Sequence, residues 1–214
     1  MLLAGAAAGG AYVGGMFLVG TWPSVMNTGY SPVQPEVPFS HRLHAGELKM
    51  DCRYCHNTVD KAAHAAIPAN KTCTNCHSGQ TGADGTIMTT ALHTTSPKLQ
   101  AVRESEATGR SVEWEKVHDL ADYVYFNHSV HVNRGVACVS CHGRIDKMEQ
   151  VRQVKPLSMS WCLECHRNPT PNLREPSDVT NMEWVPEGDA AEFGKVIAEK
   201  YNIKPNTSCS TCHR

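Results

Sequence analysis

Five copies of a Cys-x-x-Cys-His motif constrain this chain more than any other feature of its sequence. Each motif is typical of the covalent attachment site of a c-type haem, because two thiols add to the two vinyl groups of one porphyrin and the following histidine binds the iron. The attachment cysteines are Cys52 and Cys55, Cys73 and Cys76, Cys138 and Cys141, Cys162 and Cys165, and Cys209 and Cys212. The predicted proximal iron ligands are His56, His77, His142, His166 and His213.

The motifs use all ten cysteines of the chain, so none remains for a disulfide or a reactive thiol. A disulfide framework and a set of zinc knuckles are the alternative interpretations of so many cysteines. Neither alternative explains why a histidine directly follows the second cysteine of every pair. We therefore expect five covalently bound haems.

The composition agrees with a fold organised around these groups. Aromatic residues are only 7% and hydrophobic residues 41% of the 214 residues, and several of the latter lie near the N-terminus. Little apolar side chain remains for an ordinary core, so we expect a mostly irregular chain with short α-helices wrapped around five haems. No alternating strand pattern is present. The net charge of −1 gives no sign of nucleic-acid binding.

The N-terminal residues 1–22 predict a single transmembrane anchor helix. No charged side chain precedes Glu36, and about 20 apolar residues as a helix match the roughly 30 Å hydrocarbon layer of a membrane. A signal peptide is the alternative, but a Lys/Arg region and a persuasive small-residue cleavage site are both missing. Two G-x-x-x-G spacings predict contacts with partner membrane helices, although a small-residue helix without special contacts is also consistent. They are Gly5 with Gly9 and Gly10 with Gly14.

Residues 23–40 carry four prolines and predict an extended linker, which leads to a haem domain at 41–214. Within that domain, Ser96-Pro97 predicts the start of a helix through Leu99 and Val102 that ends at Gly109. A second, amphipathic helix is predicted after Asp189. Its apolar positions are Phe193, Val196, Ile197 and Tyr201.

A Phe-x-His-x-x-His pattern occurs twice, at 39–44 and at 126–131, and each copy precedes two attachment motifs. The chain therefore reads as a tandem duplication of a two-haem unit, 39–77 and 126–166, with a fifth haem at 209–213. His128 and His131 are spaced i, i+3 and share a face if the segment is helical. They are candidates for the sixth coordination position of an iron.

This arrangement resembles the multihaem class III cytochromes c, of the c3 and c7 types. Together with the anchor, segments 51–59, 117–126 and 157–167 resemble more narrowly the pentahaem subunits of alternative complex III, a quinol-oxidising respiratory complex of bacteria that lack a cytochrome bc1 complex. The similarity spans essentially the whole chain. It implies the class III fold with one N-terminal transmembrane helix.

The resemblance also implies a set of distal iron ligands. The first histidine of each pattern, His41 or His128, would bind the haem just downstream, while His44 and His131 would each reach a different haem. One ligand remains open: His118 would give an all-histidine set, whereas Met159 would give one haem of higher potential. The further candidates are Met148, His64 and His93, of which the two histidines are more consistent with surface or propionate-contacting roles.

A six-coordinate iron has no vacant position for a substrate, so we expect electron transfer and no catalytic residues. The resemblance implies a subunit in the cytoplasmic membrane with its haem domain on the periplasmic or outer face, beside integral membrane subunits and an iron-sulfur subunit. A monohaem cytochrome c or a terminal oxidase would accept the electrons. The alternatives are a short tetrahaem quinol dehydrogenase feeding a periplasmic reductase, and a multihaem reductase. The latter often carries a Cys-x-x-Cys-Lys motif that this chain lacks.

Overall fold

The computed structural model describes residues 2–21 and 28–214, with side chains described for 5–18 and 28–214. Its α-helices in the described ranges are α1 (Leu2–Thr21), α2 (Cys52–Cys55), α3 (Asn70–His77), α4 (Gln100–Thr108), α5 (His128–Val132), α6 (Cys138–His142), α7 (Met159–Arg167), α8 (Ala190–Lys200) and α9 (Cys209–Cys212). A π-helix spans Arg42–Glu47, and 3₁₀ turns lie at Pro97–Leu99, Ile145–Lys147, Thr170–Asn172 and Pro176–Asp178.

Extended pairing in these ranges is limited to isolated bridges, one of which joins Val136 to Leu173. Most of the chain outside the helices is turn or irregular backbone. The prediction of a mostly irregular chain with short helices is therefore confirmed.

Helix α1 contains no charged residue, and its described side chains, among them Tyr12, Val13 and Met16, are exposed. No helix within the described residues combines the length and the apolarity of a membrane span.

The described part of the proline-rich linker, residues 28–40, lies along the haem-motif domain. The Gln34 amide donates to the Glu115 carbonyl (3.0 Å) and accepts from the Glu115 amide (2.9 Å). The Gly29 amide donates to the Gln153 carbonyl (2.7 Å), and the Gln153 amide donates to the Tyr30 carbonyl (2.9 Å). These bonds attach the linker to two separate segments of the domain. Its described part is therefore packed on the domain and does not extend away from it.

The predicted helix in the connector is confirmed. A 3₁₀ turn starts at Pro97, and α4 continues from it to Thr108. Gly109 follows in the left-handed region, with φ of 75°. Glycine adopts that conformation without a steric penalty, which is why the helix ends there.

The predicted C-terminal helix is also confirmed as α8. The Asp189 carboxylate caps it by accepting from the amides of Ala191 (2.9 Å) and Glu192 (3.0 Å). Ile197 is buried at 2% exposure, as the helical pattern predicts, but Val196 is 63% exposed. The prediction for Val196 was wrong because the packed stripe of α8 is narrow and is completed by Gly194, which lies against the neighbouring 3₁₀ turn.

Few apolar side chains form the protein core. Val59, Val132 and Val179 make one buried cluster, with Ala65 packed against it. This cluster joins the first two-haem unit to the second. The buried apolar residues among the described positions are Val37, Val59, Val102, Val117, Val132, Ala137, Met148, Leu173, Val179 and Ile197.

Replacing Gly194 with alanine is expected to destabilise the domain. A Cβ at this position would lie 1.8 Å from the Thr170 carbonyl oxygen, a main-chain atom that cannot move aside. Overpacking of this kind costs about 1–3 kcal/mol or more, so thermal unfolding of the haem-loaded protein followed by circular dichroism should show a lower midpoint. Lys195→Ala on the same helix is the control, since Lys195 is exposed and makes only a surface ion pair with Glu192. An unchanged midpoint for Gly194→Ala would show that α8 is not held against the turn.

Candidate haem sites

Each attachment motif, numbered one to five in chain order, lies on a short helix: α2, α3, α6, α7 or α9. Cysteines at i and i+3 share one helix face, so both thiols of a motif can reach the same porphyrin edge. Local capping helps to form two of these helices: Asp51 accepts from the Arg53 amide (2.8 Å), and Ser158 accepts from the Trp161 amide (3.4 Å). None of the ten cysteines takes part in a disulfide.

Four of the five proximal histidines hold their Nδ1 atom against a main-chain carbonyl. The pairs are His56 with Ala65 (3.1 Å) and Ala66 (2.8 Å), His77 with Leu92 (2.6 Å), His166 with Asn206 (2.8 Å), and His213 with Tyr123 (3.1 Å). A carbonyl only accepts hydrogen bonds, so Nδ1 carries the ring proton. The Nε2 lone pair is then available for a metal, which is the usual arrangement of a metal-binding histidine.

The two copies of the Phe-x-His-x-x-His pattern have the same local geometry. Phe39 stacks on His44 (ring centres 4.4 Å apart) and meets His41 edge-on (4.9 Å). Phe126 stacks on His131 (4.6 Å) and meets His128 edge-on (4.8 Å). This likeness supports the predicted duplication.

The second histidine of each copy is also fixed through Nδ1, by the carbonyl four residues before it. The distances are 2.9 Å from His44 to Ser40 and 2.7 Å from His131 to Asn127. His128 uses a distant carbonyl instead, that of Ala63 at 2.8 Å. All three rings therefore present Nε2 as their free nitrogen.

Three pairs of these rings are separated by the distance that one iron would require. A metal–imidazole bond is about 2.0 Å and the ring centre lies roughly 1.1 Å behind Nε2, so two rings on opposite sides of one metal are about 6.2 Å apart. The observed separations are 6.3 Å for His44 with His77, 6.5 Å for His128 with His142, and 6.1 Å for His131 with His166. The donor sets fit axial coordination of a haem iron.

Burial keeps the histidines near sites one and three neutral. Burial and then the nearby His56 lower the pKa of His41 to about 4, and burial and then His118 lower the pKa of His142 to about 3. An imidazole must be neutral to bind a metal through nitrogen. These rings therefore meet the protonation requirement at neutral pH.

The remaining candidate ligands lie in different surroundings. The His93 ring centre is 6.5 Å from that of His77, so this histidine also reaches site two. His118 lies against His142, with ring centres 4.4 Å apart.

Met159 is the first residue of α7 and is 66% exposed, whereas Met148 is only 6% exposed. His64 offers its carbonyl to the Thr58 hydroxyl, and the structure does not pair its ring with a proximal histidine.

Sites two, one and three are joined in that order by contacts between their motifs. The Asn75 amide of site two donates to the Tyr54 hydroxyl of site one (3.3 Å). The Thr180 hydroxyl donates to Asp51, which precedes site one (2.8 Å), while the adjacent Val179 carbonyl accepts from the Cys138 amide of site three (3.0 Å). The chain order of these motifs is therefore not their spatial order.

Sites three, four and five continue this row. His128 and His131 on α5 face the proximal rings of sites three and four, respectively. The site-four ligand His166 donates to Asn206, just before site five. The Tyr125 amide, just before α5, donates to the Cys212 carbonyl of site five (2.9 Å). The attachment sites thus follow one another as two, one, three, four and five.

The carbonyl partners of the histidines were not predicted from the sequence. They belong to Ser40, Ala63, Ala65, Ala66, Leu92, Tyr123, Asn127 and Asn206, which have no side-chain type in common. A main-chain acceptor leaves no signal in a sequence, so only the structure could identify these groups.

Comparison with known families agrees with the motifs and their geometry. Residues 37–101 and 124–214 match the family described as cytochrome c7 and related cytochrome c, which covers most of the chain. The chain belongs to the cytochrome c7 family. As a c7-type multihaem cytochrome c it carries covalently bound c-type haem, and the resemblance to class III cytochromes is confirmed at this level.

This c7-type cytochrome is also similar to a curated protein of Nitratidesulfovibrio vulgaris strain Hildenborough. That relative is named menaquinone reductase, multiheme cytochrome c subunit. The two sequences are 29% identical over 125 residues, which make up 58% of this chain and 53% of the relative. The chain thus spans about half the length of the relative that it matches.

Proposed function

We propose that this cytochrome is an electron-transfer subunit with five covalent haems in a membrane-bound, quinone-linked respiratory complex. The observation that carries the proposal is the set of three histidine ring pairs at 6.1–6.5 Å. Each pair leaves room for an iron with two axial nitrogens and no vacant position. Such a site exchanges electrons and does not bind a substrate.

The proposed axial pairs are His41 with His56, His44 with His77, His128 with His142, His131 with His166, and Met159 with His213. His44 is preferred to His93 at site two because its Phe39 contact and its Nδ1 bond repeat those of His131. His41 occupies the place in the first copy that His128 has in the second.

Met159 is preferred at site five because α7 begins beside α9. Burial and then the neighbouring Cys212 thiol raise the pKa of Cys162, so these two attachment helices are adjacent. Met159 precedes Cys162 by three residues and therefore lies on the same face of α7. Its side chain is exposed and free to reach towards site five.

The protein residues hold and tune these sites. The thiols attach each porphyrin, and the carbonyl bonds to Nδ1 fix the tautomer and orientation of the axial rings. Bound haem supplies one-electron exchange at its iron. The short contacts between neighbouring attachment sites keep the redox groups close, which electron transfer across a row of sites requires.

The partners follow from resemblance. Similarity to the subunits of alternative complex III favours integral membrane subunits and an iron-sulfur subunit as donors, with a monohaem cytochrome c or a terminal oxidase as acceptor. The name of the relative favours a second candidate, in which electrons flow towards menaquinone. In either case the haem domain would lie on the periplasmic face, since haem c is attached to exported chains.

We also propose that α1 is a single-pass anchor. Within the described residues no helix meets the criteria of a span, so the proposal rests on the sequence: the 20 residues of α1 carry no charge, and a helix of that length extends about 30 Å. The four glycines of the two G-x-x-x-G spacings have no atom of the described chain within 4 Å of an added Cβ. A close approach by a partner helix would therefore be unobstructed.

Purification of the tagged chain from membranes tests this function. We expect five haems per chain, low-spin ferric signals in electron paramagnetic resonance, and copurifying multi-span and iron-sulfur proteins. Reduction of the haems by added quinol in the complex would support the quinol-oxidising direction, whereas oxidation of the reduced haems by added quinone would support the reverse. A stoichiometric high-spin signal in the wild type would contradict the closed-site function.

Replacing Met159 with leucine is expected to open the fifth haem. Leucine keeps the apolar volume but removes the thioether sulfur, so one of five haems should become high-spin and lose the sulfur-to-iron charge-transfer band. Met148→Leu is the matched control, because Met148 is buried next to the Arg42 amide and has no assigned role. A charge-transfer band that disappears only in Met148→Leu would reverse the assignment.

A further inference from the structure

We propose that His118 is a positioning residue for the third haem, where it holds the ring of the proximal ligand His142 through the Nδ1 atom. The inference rests on the proposed haem sites and adds a role for a histidine outside the axial set. His118 lies in the segment 102–123, between the two parts of the chain that match the cytochrome c7 family.

His142 differs from the other proximal histidines. The Nδ1 atoms of the other four meet main-chain carbonyls at 2.6–3.1 Å. The His142 Nδ1 atom is buried and has no hydrogen-bond partner in the described chain. A buried polar group without a partner is costly, so a native structure usually supplies one.

The His118 ring lies against the ring that carries this unpaired nitrogen. Its ring meets that of His142 edge to face, with centres 4.4 Å apart and planes at 75°. Its Nε2 atom is also buried and without a partner among the described residues. Two unsatisfied ring nitrogens therefore lie in adjacent, touching rings.

The separation excludes His118 as the ligand opposite His142 on one iron. Three of the proposed axial pairs have ring centres 6.1–6.5 Å apart, which is clearly longer than 4.4 Å. The opposite position at site three is already taken by His128, whose ring is nearly parallel to that of His142, at 9°. His118 contacts the ligand and not the iron position.

The hydrogen bond that satisfies both rings has a defined direction. When the His142 Nε2 lone pair binds iron, its Nδ1 carries a proton and can only donate. A His118 ring protonated at Nδ1 would offer its Nε2 lone pair as the acceptor.

The expected effect is on the electronic properties of one haem. A hydrogen bond accepted from Nδ1–H increases the basicity of the metal-bound imidazole. A more basic ligand stabilises the ferric iron, so His118 should lower the reduction potential of the third haem. Loss of the bond should raise that potential without opening the coordination site.

The experiment compares His118→Leu and His118→Gln in the haem-loaded, membrane-extracted protein. We expect both variants to keep five low-spin haems. Redox titration should show one haem shifted to higher potential in His118→Leu, and a smaller shift in His118→Gln, because the glutamine carbonyl can accept the same bond. Lys195→Ala is the control, since Lys195 is an exposed residue of α8, and it should leave every potential unchanged.

Each other outcome would overturn the inference. A new high-spin signal in His118→Leu would make His118 an axial ligand, and unchanged potentials would make it a packing residue. If His118→Leu does not accumulate, His118→Gln carries the test: one haem with a slightly higher potential and five low-spin haems are expected, and unaltered potentials or a high-spin haem would contradict the role. A wild-type protein with fewer than five haems or with a high-spin haem would instead contradict the proposed function.

Discussion

Replacing His131 with alanine is expected to convert one of five haems from six-coordinate low-spin to five-coordinate high-spin. Its ring is 6.1 Å from that of His166, and no other histidine ring is paired with His166 in the described chain. Loss of the distal nitrogen would change the reduction potential of this haem. Electron transfer through the protein should therefore fall by at least about tenfold, which corresponds to roughly 1.4 kcal/mol of added barrier. Electron paramagnetic resonance and stopped-flow haem reduction measure the two effects.

His93→Ala is the matched control for this experiment. The His93 ring is also close to a proximal ring, 6.5 Å from His77, but it lies outside the Phe-x-His-x-x-His pattern. We expect it to leave all haems low-spin. If His93→Ala has a high-spin haem and His44→Ala has none, the distal ligand of site two is His93 and not His44. If His131→Ala keeps all its haems low-spin, the assignment of His131 to site four is wrong.

Removing both cysteines of the third site is expected to prevent accumulation of the folded protein. The Cys138 amide binds the carbonyl of Val179, which is 1% exposed and belongs to the buried cluster between the two units. The Cys138 side chain also lies beside that of Cys52, so the third site borders the first. Without the haem that we propose at this site, the centre of the protein would lack the apolar group around which it packs.

The fifth site provides the comparison. Cys209 is exposed, and its motif lies at the end of the row of sites. We expect Cys209→Ala with Cys212→Ala to accumulate with four haems, and Cys138→Ala with Cys141→Ala to reach a level at least roughly tenfold lower, since about 1.4 kcal/mol separates those levels at equilibrium. Haem staining and immunoblotting of the membrane fraction measure both. Equal levels of the two variants would show that the third site does not organise the fold.

The order of the attachment sites predicts where redox partners bind. Sites two and five lie at its two ends, and site three lies in the middle. A partner that exchanges electrons with this cytochrome would be expected near one of the end sites. Charge changes at those ends, for example at Arg214 beside Tyr125, should therefore affect partner exchange more than changes near the centre.

Sequence reasoning was accurate where a local rule applied. It predicted α4 with its terminal Gly109, α8 with its Asp189 cap, and a chain almost without strands. It was less accurate for Val196, since helical spacing alone does not tell how wide the packed stripe of a helix is. It did not predict the π-helix after His41, where an added Cβ on Gly46 would lie 2.1 Å from the Asp146 carbonyl oxygen.

By itself the sequence predicted the attachment cysteines, the proximal histidines and the duplicated pattern, because thioether formation and proximal ligation depend on residues within one five-residue motif. Only the tertiary structure decided which distal ring faces which proximal ring, and which carbonyl orients each of them. These partners come from distant parts of the chain, such as Ala63 for His128 and Tyr123 for His213. Their arrangement depends on packing between segments, and the carbonyls that take part are present in every residue, so no residue type could reveal them.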